Sequence, residues 1–312
     1  MKSVLHAIAF RLGQAAGVAL VVGVLSFLMM QAMPGDAAFR IAAARHGYDL
    51  VSVEAADAVR AALALDAGPV IQFLRWIGDL VRLDLGRSLV SGETVWSEIA
   101  HQLGASLELA GVALALSLVI GPPLGLWAGL HPGGIFDRAL LVVAAGFRAL
   151  PQFFLGLVLI VLFAVHLQVL PAAGHGAPAH YVLPALTLAL GLAAGSARLT
   201  RDAMARVAQS PFYAFARTKG LSEAQVLWRH GLRNIGVPVL TFVGMQFITL
   251  AEGVVVVETI FGWPGIGHAL IHAVFHRDVP MVQGTALVMG LGFVLLNTGV
   301  DLIARRLDPR EV

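Results

Sequence analysis

The chain alternates between long apolar stretches and polar connections. Six stretches are almost free of charge and reach the ~20 residues that a helix needs to cross a membrane. They are residues 12–33, 109–130, 149–171, 181–197, 234–251 (continuing to 257) and 279–300. The first is too long for the core of a signal peptide and lacks a small-residue cleavage site, so it is interpreted as a true span. This pattern predicts an all-α integral membrane protein with six transmembrane helices.

Composition and charge agree with this class and give an orientation. Hydrophobic residues make up 58% of the 312 positions and charged residues 13%, about half the charged fraction of a soluble domain. Lys and Arg cluster in segments that share one side, and the two short loops on the other side contain Arg277 alone. The positive-inside rule then predicts cytoplasmic N- and C-termini. Cysteine is absent, which excludes disulfides and thiolate chemistry.

Three regions follow from this topology: residues 1–33 as the N-terminal segment and first span, 34–100 as an extracytoplasmic subdomain, and 101–312 as a core with five spans. Residues 31–100 contain six Arg and nine acidic residues, so they do not enter the membrane. Within them Ser52 predicts the cap of a helix towards Leu65, and Pro69 opens a second, amphipathic helix. Asp84 and Gly86 mark a turn before the second span.

The polar loop 201–238 is the most informative connection. Ser210 is a good N-cap, Pro211 suits the first helical position and Gly220 suits a left-handed residue, which together predict a helix of about nine residues. Ser222 and Gln225 then stand at capping-box spacing. Seven basic and two acidic residues lie between positions 198 and 238, which places the loop in the cytoplasm.

Phe212, Phe215 and Ala216 are expected to share one face of this short helix. Two phenylalanines on a polar loop have two explanations, which the spacing leaves equally open. They insert into another protein, or they lie against the membrane helices of their own chain.

Charged and polar residues at membrane depth are candidates for a translocation pathway. A third helix that begins near Asp137, with a kink at Pro151, carries Arg148 about 16 Å along its axis. A charge at that depth costs about 2.5 to 3.5 kcal/mol and needs a partner or a water-filled path. Glu252 in the fifth span is a suitable partner, and Gln246 in the same span is a further pathway candidate. A structural Arg148–Glu252 ion pair and a pathway that meets the substrate both remain open.

Three histidines, His268, His272 and His276, recur every four residues in the last outer loop. This spacing places them on one helical face and suits adjacent metal ligands, although most such stripes are merely amphipathic. No firm metal site is predicted.

The chain lacks the motifs of an energy source or an enzyme. Neither of its two lysines, Lys2 and Lys219, lies in a phosphate-binding P-loop, and no G-x-S-x-G or H-E-x-x-H motif occurs. An intramembrane enzyme, with His166 as its testable residue, and a non-transporting scaffold are the alternatives from other classes. Nothing points to nucleic acid as a partner.

Two runs of residues then establish a resemblance. Residues 214–220 (AFARTKG), with His230, Leu232, Arg233, Asn234 and Pro238 in the pattern H-x-L-R-N-x-x-x-P, are similar to the signature of permease subunits of bacterial ATP-binding cassette (ABC) importers in the dipeptide, oligopeptide and nickel group. Residues 258–267 (ETIFGWPGIG), followed by Arg277, Asp278 and Pro280, resemble a second signature of the same family. The shorter matches are 34–36 (PGD), 84–86 (DLG), Asn297, Asp301 and 308–310 (DPR). Arg148, Glu252 and the three histidines depart from the family pattern.

The resemblance implies a location, partners and a mechanism. The permease lies in the bacterial inner membrane, binds no cofactor itself, and works with two ATP-binding subunits that hold ATP and Mg²⁺. A homologous second permease and an extracytoplasmic binding protein complete the assembly in the lipid bilayer. Short peptides are the expected substrate, and nickel or a nickel chelate is the alternative. The residues expected to couple transport to the ATPase are Phe212, Phe215, Ala216, Arg217, Lys219, Gly220, His230, Arg233, Asn234 and Pro238.

Overall fold

The computed structural model of the chain describes residues 2–32, 35–46, 52–62, 68–82 and 84–307. Within these ranges the regular structure is helical, apart from one isolated bridge between Arg87 and Thr94. The helices are α1 (Lys2–Ala32), α2 (Ala37–His46), α3 (Val53–Ala62), α4 (Pro69–Val81), α5 (Val95–Leu130), α6 (Ile135–Ala149), α7 (Gln152–Leu159), α8 (Pro178–Ala208), α9 (Pro211–Thr218), α10 (Glu223–Val226), α11 (Leu232–Phe261), α12 (Ile266–His276) and α13 (Val279–Leu307). Two π-helical segments, Ile160–His166 and Leu227–Gly231, extend α7 and join α10 to α11.

The described helices include four that are long and apolar enough to cross a membrane: Val95–Leu130, Pro178–Ala208, Glu223–Ala251 and Val279–Val300. Two bent helix pairs raise the number to six if each pair is a single span, and residues 13–29 of α1 form a shorter apolar helix. An all-α membrane protein is therefore confirmed, whereas the exact six-helix layout stays a prediction.

The predicted third helix is not a single kinked rod. Helix α6 ends at Ala149, and the continuation that starts at Gln152 is bent from it by 104°. Proline disfavours helical geometry in the preceding residue, and Leu150 accordingly adopts φ −79° and ψ 128°. The kink expected at Pro151 is therefore a break between two helices, and the helical part ends at His166, before the expected end of the span at residue 171.

Residue contacts divide the chain into two compact units. The first comprises Met1–Ala105 and Pro264–Leu295, and the second comprises Ser106–Trp263 and Leu296–Val312. Helices α5 and α13 each contribute to both units.

In the first unit, helices α2 and α3 pack around a small core of Ala38, Ile41, Ala42, Ala56 and Val59. Ser52 Oγ accepts the amide of Ala55 (3.1 Å), which confirms the predicted cap of α3. Residues 63–67 and Pro34 lie outside the described part of the chain, so the end of that helix towards Leu65 and the first residue of the PGD turn stay predictions.

Asp278 organises the outer turn of the first unit. Its Oδ1 accepts the amides of Leu89 (3.0 Å) and Met281 (3.3 Å), and its Oδ2 accepts the Ser88 hydroxyl and the amide of Val90 (3.4 Å). One carboxylate therefore caps α13 and fixes the loop after the DLG turn. The adjacent Arg277 donates to Gly35 O (2.7 Å). Burial lowers the pKa of this guanidinium.

In the second unit, helix α8 packs against α6, α7 and α11. Its apolar stretch is the most buried among the four helices that are long enough to span a membrane. A stripe of Gly121, Gly125 and Gly129 on α5 meets the backbone of α8. A methyl group on Gly125 would lie 2.2 Å from the carbonyl oxygen of Ala197, closer than any real contact. The stripe is thus a small-xxx-small packing motif that lets two membrane helices approach closely.

The second family signature is a packing element in the same unit. Glu258 is fully buried and accepts the Ser106 hydroxyl, while the Trp263 ring lies edge-on to His175 and Tyr181 at 4.6 Å each. Gly262 adopts φ 59°, which ends α11 in the left-handed conformation that glycine favours.

Candidate functional site: the α9 surface

The residues at both ends of α9 specify the helix as the sequence predicts. The helix runs from Pro211 to Thr218, and Gly220 adopts φ 79°, a left-handed conformation. Ser210 occupies the N-cap position, but its hydroxyl donates backwards to Val207 O (2.5 Å) and makes no cap bond. Ser210 is therefore the N-cap residue as predicted, although its side chain makes no cap bond.

Helix α9 is anchored by one face and open on another. Tyr213 and Ala216 are buried at 0% and 4% exposure against Met204, whereas Phe212 and Phe215 remain 45% and 60% exposed. The structure thus separates Ala216 from the two phenylalanines, and the predicted common face is wrong for this residue. Burial raises the pKa of the Tyr213 phenol, whose Oη has no hydrogen-bond partner within the described residues.

Charged side chains frame the two exposed rings. Arg217 forms an ion pair with Glu223 (Nη2–Oε2 2.8 Å) across the Gly220 turn and lies 5.3 Å from the centre of the Tyr213 ring. Lys219 Nζ lies 4.7 Å from the centre of the Phe215 ring. Phe212 and Phe215 therefore form an apolar centre that is bordered by Lys219 and by the Arg217–Glu223 ion pair, and we call this area the α9 surface.

The return of the chain into α11 is also locally specified. Ser222 and Gln225 form the predicted capping box, with Gln225 N donating to Ser222 Oγ (3.4 Å) and Ser222 N to Gln225 Oε1 (3.1 Å). Asn234 Nδ2 donates to His230 O (2.6 Å) where the π-helical segment ends. Arg233 is exposed, and Pro238 lies within α11.

Sequence reasoning did not single out Trp228, which is 71% exposed in the same π-helical segment. The sequence did contain one signal, because Trp228 is the only tryptophan in the polar loop 201–238.

A buried ion pair supports α8 just before α9, and the sequence analysis did not predict it. Asp137 is 2% exposed and accepts from Arg201 Nε (2.7 Å) and Nη2 (2.6 Å) and from the Gly133 amide (2.8 Å). Arg201 also donates to Asp202 (3.0 Å). This bidentate contact joins the start of α6 to the last turns of α8.

The structure describes the side chains of two of the three predicted pathway residues. Arg148 is exposed at the end of α6, and its Nη1 lies over Gly195 beside the Phe242 ring, where an added methyl group would come within 2.9 Å of the guanidinium. Gln246 is buried and its Nε2 has no hydrogen-bond partner in the described part of the chain. The Glu252 side chain lies outside the described residues, so the Arg148–Glu252 pair stays a prediction.

The histidine stripe forms as predicted on α12, with ring centres of His268 and His272 4.4 Å apart and those of His272 and His276 5.9 Å apart. Among the described residues, no group of three or more His, Asp or Glu side chains is placed to hold a metal ion. The stripe does not assemble a metal centre there.

Comparison with known proteins identifies the family. Residues 121–312 match the family described as binding-protein-dependent transport system inner membrane component. A putative peptide transport system permease protein of Brucella abortus (strain 2308) is 37% identical over 308 residues, covering 96% of both chains. The glutathione transport system permease protein of Escherichia coli (strain K12) is 36% identical over 289 residues, covering 93% of both.

Solved structures support the fold. The MetNI methionine ABC transporter in an inward-facing conformation aligns with a TM-score of 0.55 at 20% identity, over 67% of this chain and 96% of that one. The resemblance noted in the sequence is confirmed, and the chain belongs to the family of inner membrane components of binding-protein-dependent transport systems, as a permease subunit whose ATPase resides in separate subunits.

Proposed function

We propose that this permease imports short peptides across the inner membrane and that the α9 surface is where ATP hydrolysis is converted into movement. The family implies ATP-binding subunits and a substrate-binding protein as partners. The finer assembly belongs to the proposal: two ATP-binding subunits, a second homologous permease, and N- and C-termini in the cytoplasm. ATP and Mg²⁺ reside on the partner subunits.

One observation carries the proposal for the α9 surface. Phe212 and Phe215 are exposed on a helix whose other face is fixed by Tyr213 and Ala216. A rigidly anchored helix transmits displacement to the spans it is packed on, here through the cluster it shares with Met204 of α8 and Ile235 of α11. A groove on the ATPase that receives the two rings would therefore move α8 and α11 when it shifts. Such rigid-body switching is a common form of conformational coupling.

The exposed rings offer a useful amount of binding energy. A phenylalanine side chain buries roughly 200 Å² when fully enclosed, so the exposed fractions leave about 200 Å² for a partner to cover. At about 25 cal/mol per Å² this corresponds to about 5 kcal/mol before the costs of association. Lys219, which lies beside the Phe215 ring, favours an acidic residue at the edge of the groove.

Peptides are the substrate class that the relatives' names favour, since they describe peptide and glutathione transport. A polar pathway containing Arg148 and Gln246 suits a zwitterionic cargo. Nickel is not favoured, because the names of these relatives describe peptide and glutathione transport.

A paired substitution tests the proposal in the reconstituted transporter. The double variant Phe212→Ala, Phe215→Ala should reduce both peptide uptake and co-purification of the ATP-binding subunit by tenfold or more. The matched control is Phe275→Ala, since Phe275 is 62% exposed on α12. Uptake at the control level in the double variant would exclude α9 as the coupling element.

A further inference from the structure

Helix α4 (Pro69–Val81) in the first unit has an exposed apolar side. Val70, Ile71 and Leu74 are exposed at 70%, 51% and 62%. Leu74 follows Val70 by four residues and Ile71 by three, so the three side chains lie on one side of the helix, which we call the α4 face. Adjacent exposed aliphatic side chains mark an interaction surface rather than scattered apolar residues.

The sequence and length of α4 are those of a helix that lies on a membrane without crossing it. Its polar residues Gln72, Arg75 and Asp79 are three and four positions apart, which places them together on another side of the helix. The 13 residues of α4 extend about 20 Å, which is too short for the ~30 Å hydrocarbon core. An amphipathic helix of this kind lies along the bilayer surface with its apolar side at the boundary of the acyl chains.

A ring contact fixes the level of α4 relative to the predicted first span. Phe73 packs against Phe27 of α1, with the two ring centres 5.1 Å apart. Phe27 lies two residues before the end of the apolar stretch Gly13–Met29, which is about 3 Å along the helix axis. Helix α4 is therefore held at the end of this apolar stretch and not away from it in solution.

Apolar side chains of α1 at the same level are also exposed. Leu25, Leu28 and Met29 are exposed at 60%, 56% and 48%. In a membrane-spanning helix such side chains face lipid, so the bilayer extends to the level at which Phe73 holds α4. The α4 face is therefore level with an apolar surface that the predicted span presents to lipid.

We infer that α4 is an interfacial helix and that the α4 face rests in the outer leaflet of the bilayer. The partner of this surface is lipid, and the helix ties the region between the first two predicted spans to the membrane. The expectation that residues 31–100 stay out of the membrane is refined, since one side of α4 lies in its surface. The inference rests on the proposed function in one respect, because the cytoplasmic N-terminus makes Phe27 the outer end of α1.

Protection of a thiol in lipid vesicles tests the position of the α4 face. The chain contains no cysteine, so Leu74→Cys and, separately, Val70→Cys each give the permease of the reconstituted transporter a single thiol. Asp79→Cys is the matched control, because Asp79 is exposed on the polar side of the same helix. Removing one aliphatic side chain from water favours the buried state by about tenfold or more. A water-soluble maleimide should therefore label positions 70 and 74 at least about tenfold more slowly than position 79.

Quenching by a nitroxide-labelled lipid identifies what covers the α4 face. A bimane attached at position 74 before reconstitution should be quenched by phosphatidylcholine that carries a nitroxide high on its acyl chain, and more strongly than a bimane at position 79. Labelling of positions 70 and 74 at the rate of position 79 would place the face in water and overturn the inference. Protection without quenching by the lipid would also overturn it, because a protein, such as a second permease or the binding protein, would then cover the face.

A charge on the α4 face provides an independent readout. With Val70→Cys as the reporter, the added substitution Leu74→Glu should speed labelling about tenfold, whereas Asp79→Asn should leave the rate unchanged. These measurements require neither peptide nor ATP. A protected face without peptide uptake would count against the proposed function alone, and a freely labelled face with normal uptake would count against this inference alone.

Discussion

Asp137 is buried where α6 begins, and its removal is expected to destabilise the second unit. The carboxylate is 2% exposed and accepts three hydrogen bonds of 2.6–2.8 Å, two of them from Arg201. In Asp137→Asn the new amide N–H groups face the guanidinium donors, and Arg201 loses its buried counter-charge. Removing one member of a buried pair costs about 3–5 kcal/mol. Since Arg201 is itself 21% exposed, we expect the lower end, about 3 kcal/mol.

The same arginine provides the control. Asp202 also accepts from Arg201, at 3.0 Å, but its side chain is 39% exposed. An exposed pair contributes about 0–1 kcal/mol, so Asp202→Asn should change the free energy of unfolding by less than about 1 kcal/mol. SDS-induced unfolding of the purified permease, followed by circular dichroism, measures both variants. A cost below about 1 kcal/mol for Asp137→Asn, or equal costs for the two variants, would refute the reasoning from burial.

Two further predictions follow from close contacts. Gly125→Ala places a methyl group 2.2 Å from a backbone oxygen of α8 and should cost roughly 1–3 kcal/mol in the same unfolding assay. Gly111→Ala on the same helix meets nothing within 4 Å and should be neutral or stabilising, and the opposite order would contradict the packing described. Asp278→Asn should raise the hydrogen-exchange rate of the Leu89 amide by about tenfold, because that amide donates to the carboxylate at 3.0 Å. Exchange of the Gly86 amide, which Asp84 holds, is the internal control and should not change.

Local chemistry was sufficient to predict the short helix and its surroundings. Pro211, Gly220 and the capping box of Ser222 and Gln225 specify backbone geometry within a few residues, so their positions in the sequence suffice. The position of a cap residue does not fix its hydrogen bonds. Ser210 stands at the N-cap of α9, yet its hydroxyl donates to the Val207 carbonyl and makes no cap bond.

Contacts between distant segments were beyond the sequence analysis. Asp137 and Arg201 are 64 residues apart, and a single sequence gives no indication that they meet. Periodicity placed Ala216 on one helical face with Phe212 and Phe215, but only the packing of α9 against Met204 shows that Ala216 faces inwards. The 104° bend after Ala149 was likewise beyond the sequence. Pro151 predicts that the helix is interrupted, but the angle of the bend depends on tertiary packing.

The most direct test of the account places a probe on the α9 surface. The chain contains no cysteine, so Phe215→Cys gives the permease subunit a single thiol. A thiol-specific photocrosslinker at this position should react with the ATP-binding subunit, and ATP should change the yield. A membrane-impermeant thiol reagent added from outside intact cells should not label it. Labelling from outside, or crosslinks confined to lipid and to the permease itself, would contradict the claim that α9 receives its motion from the ATPase.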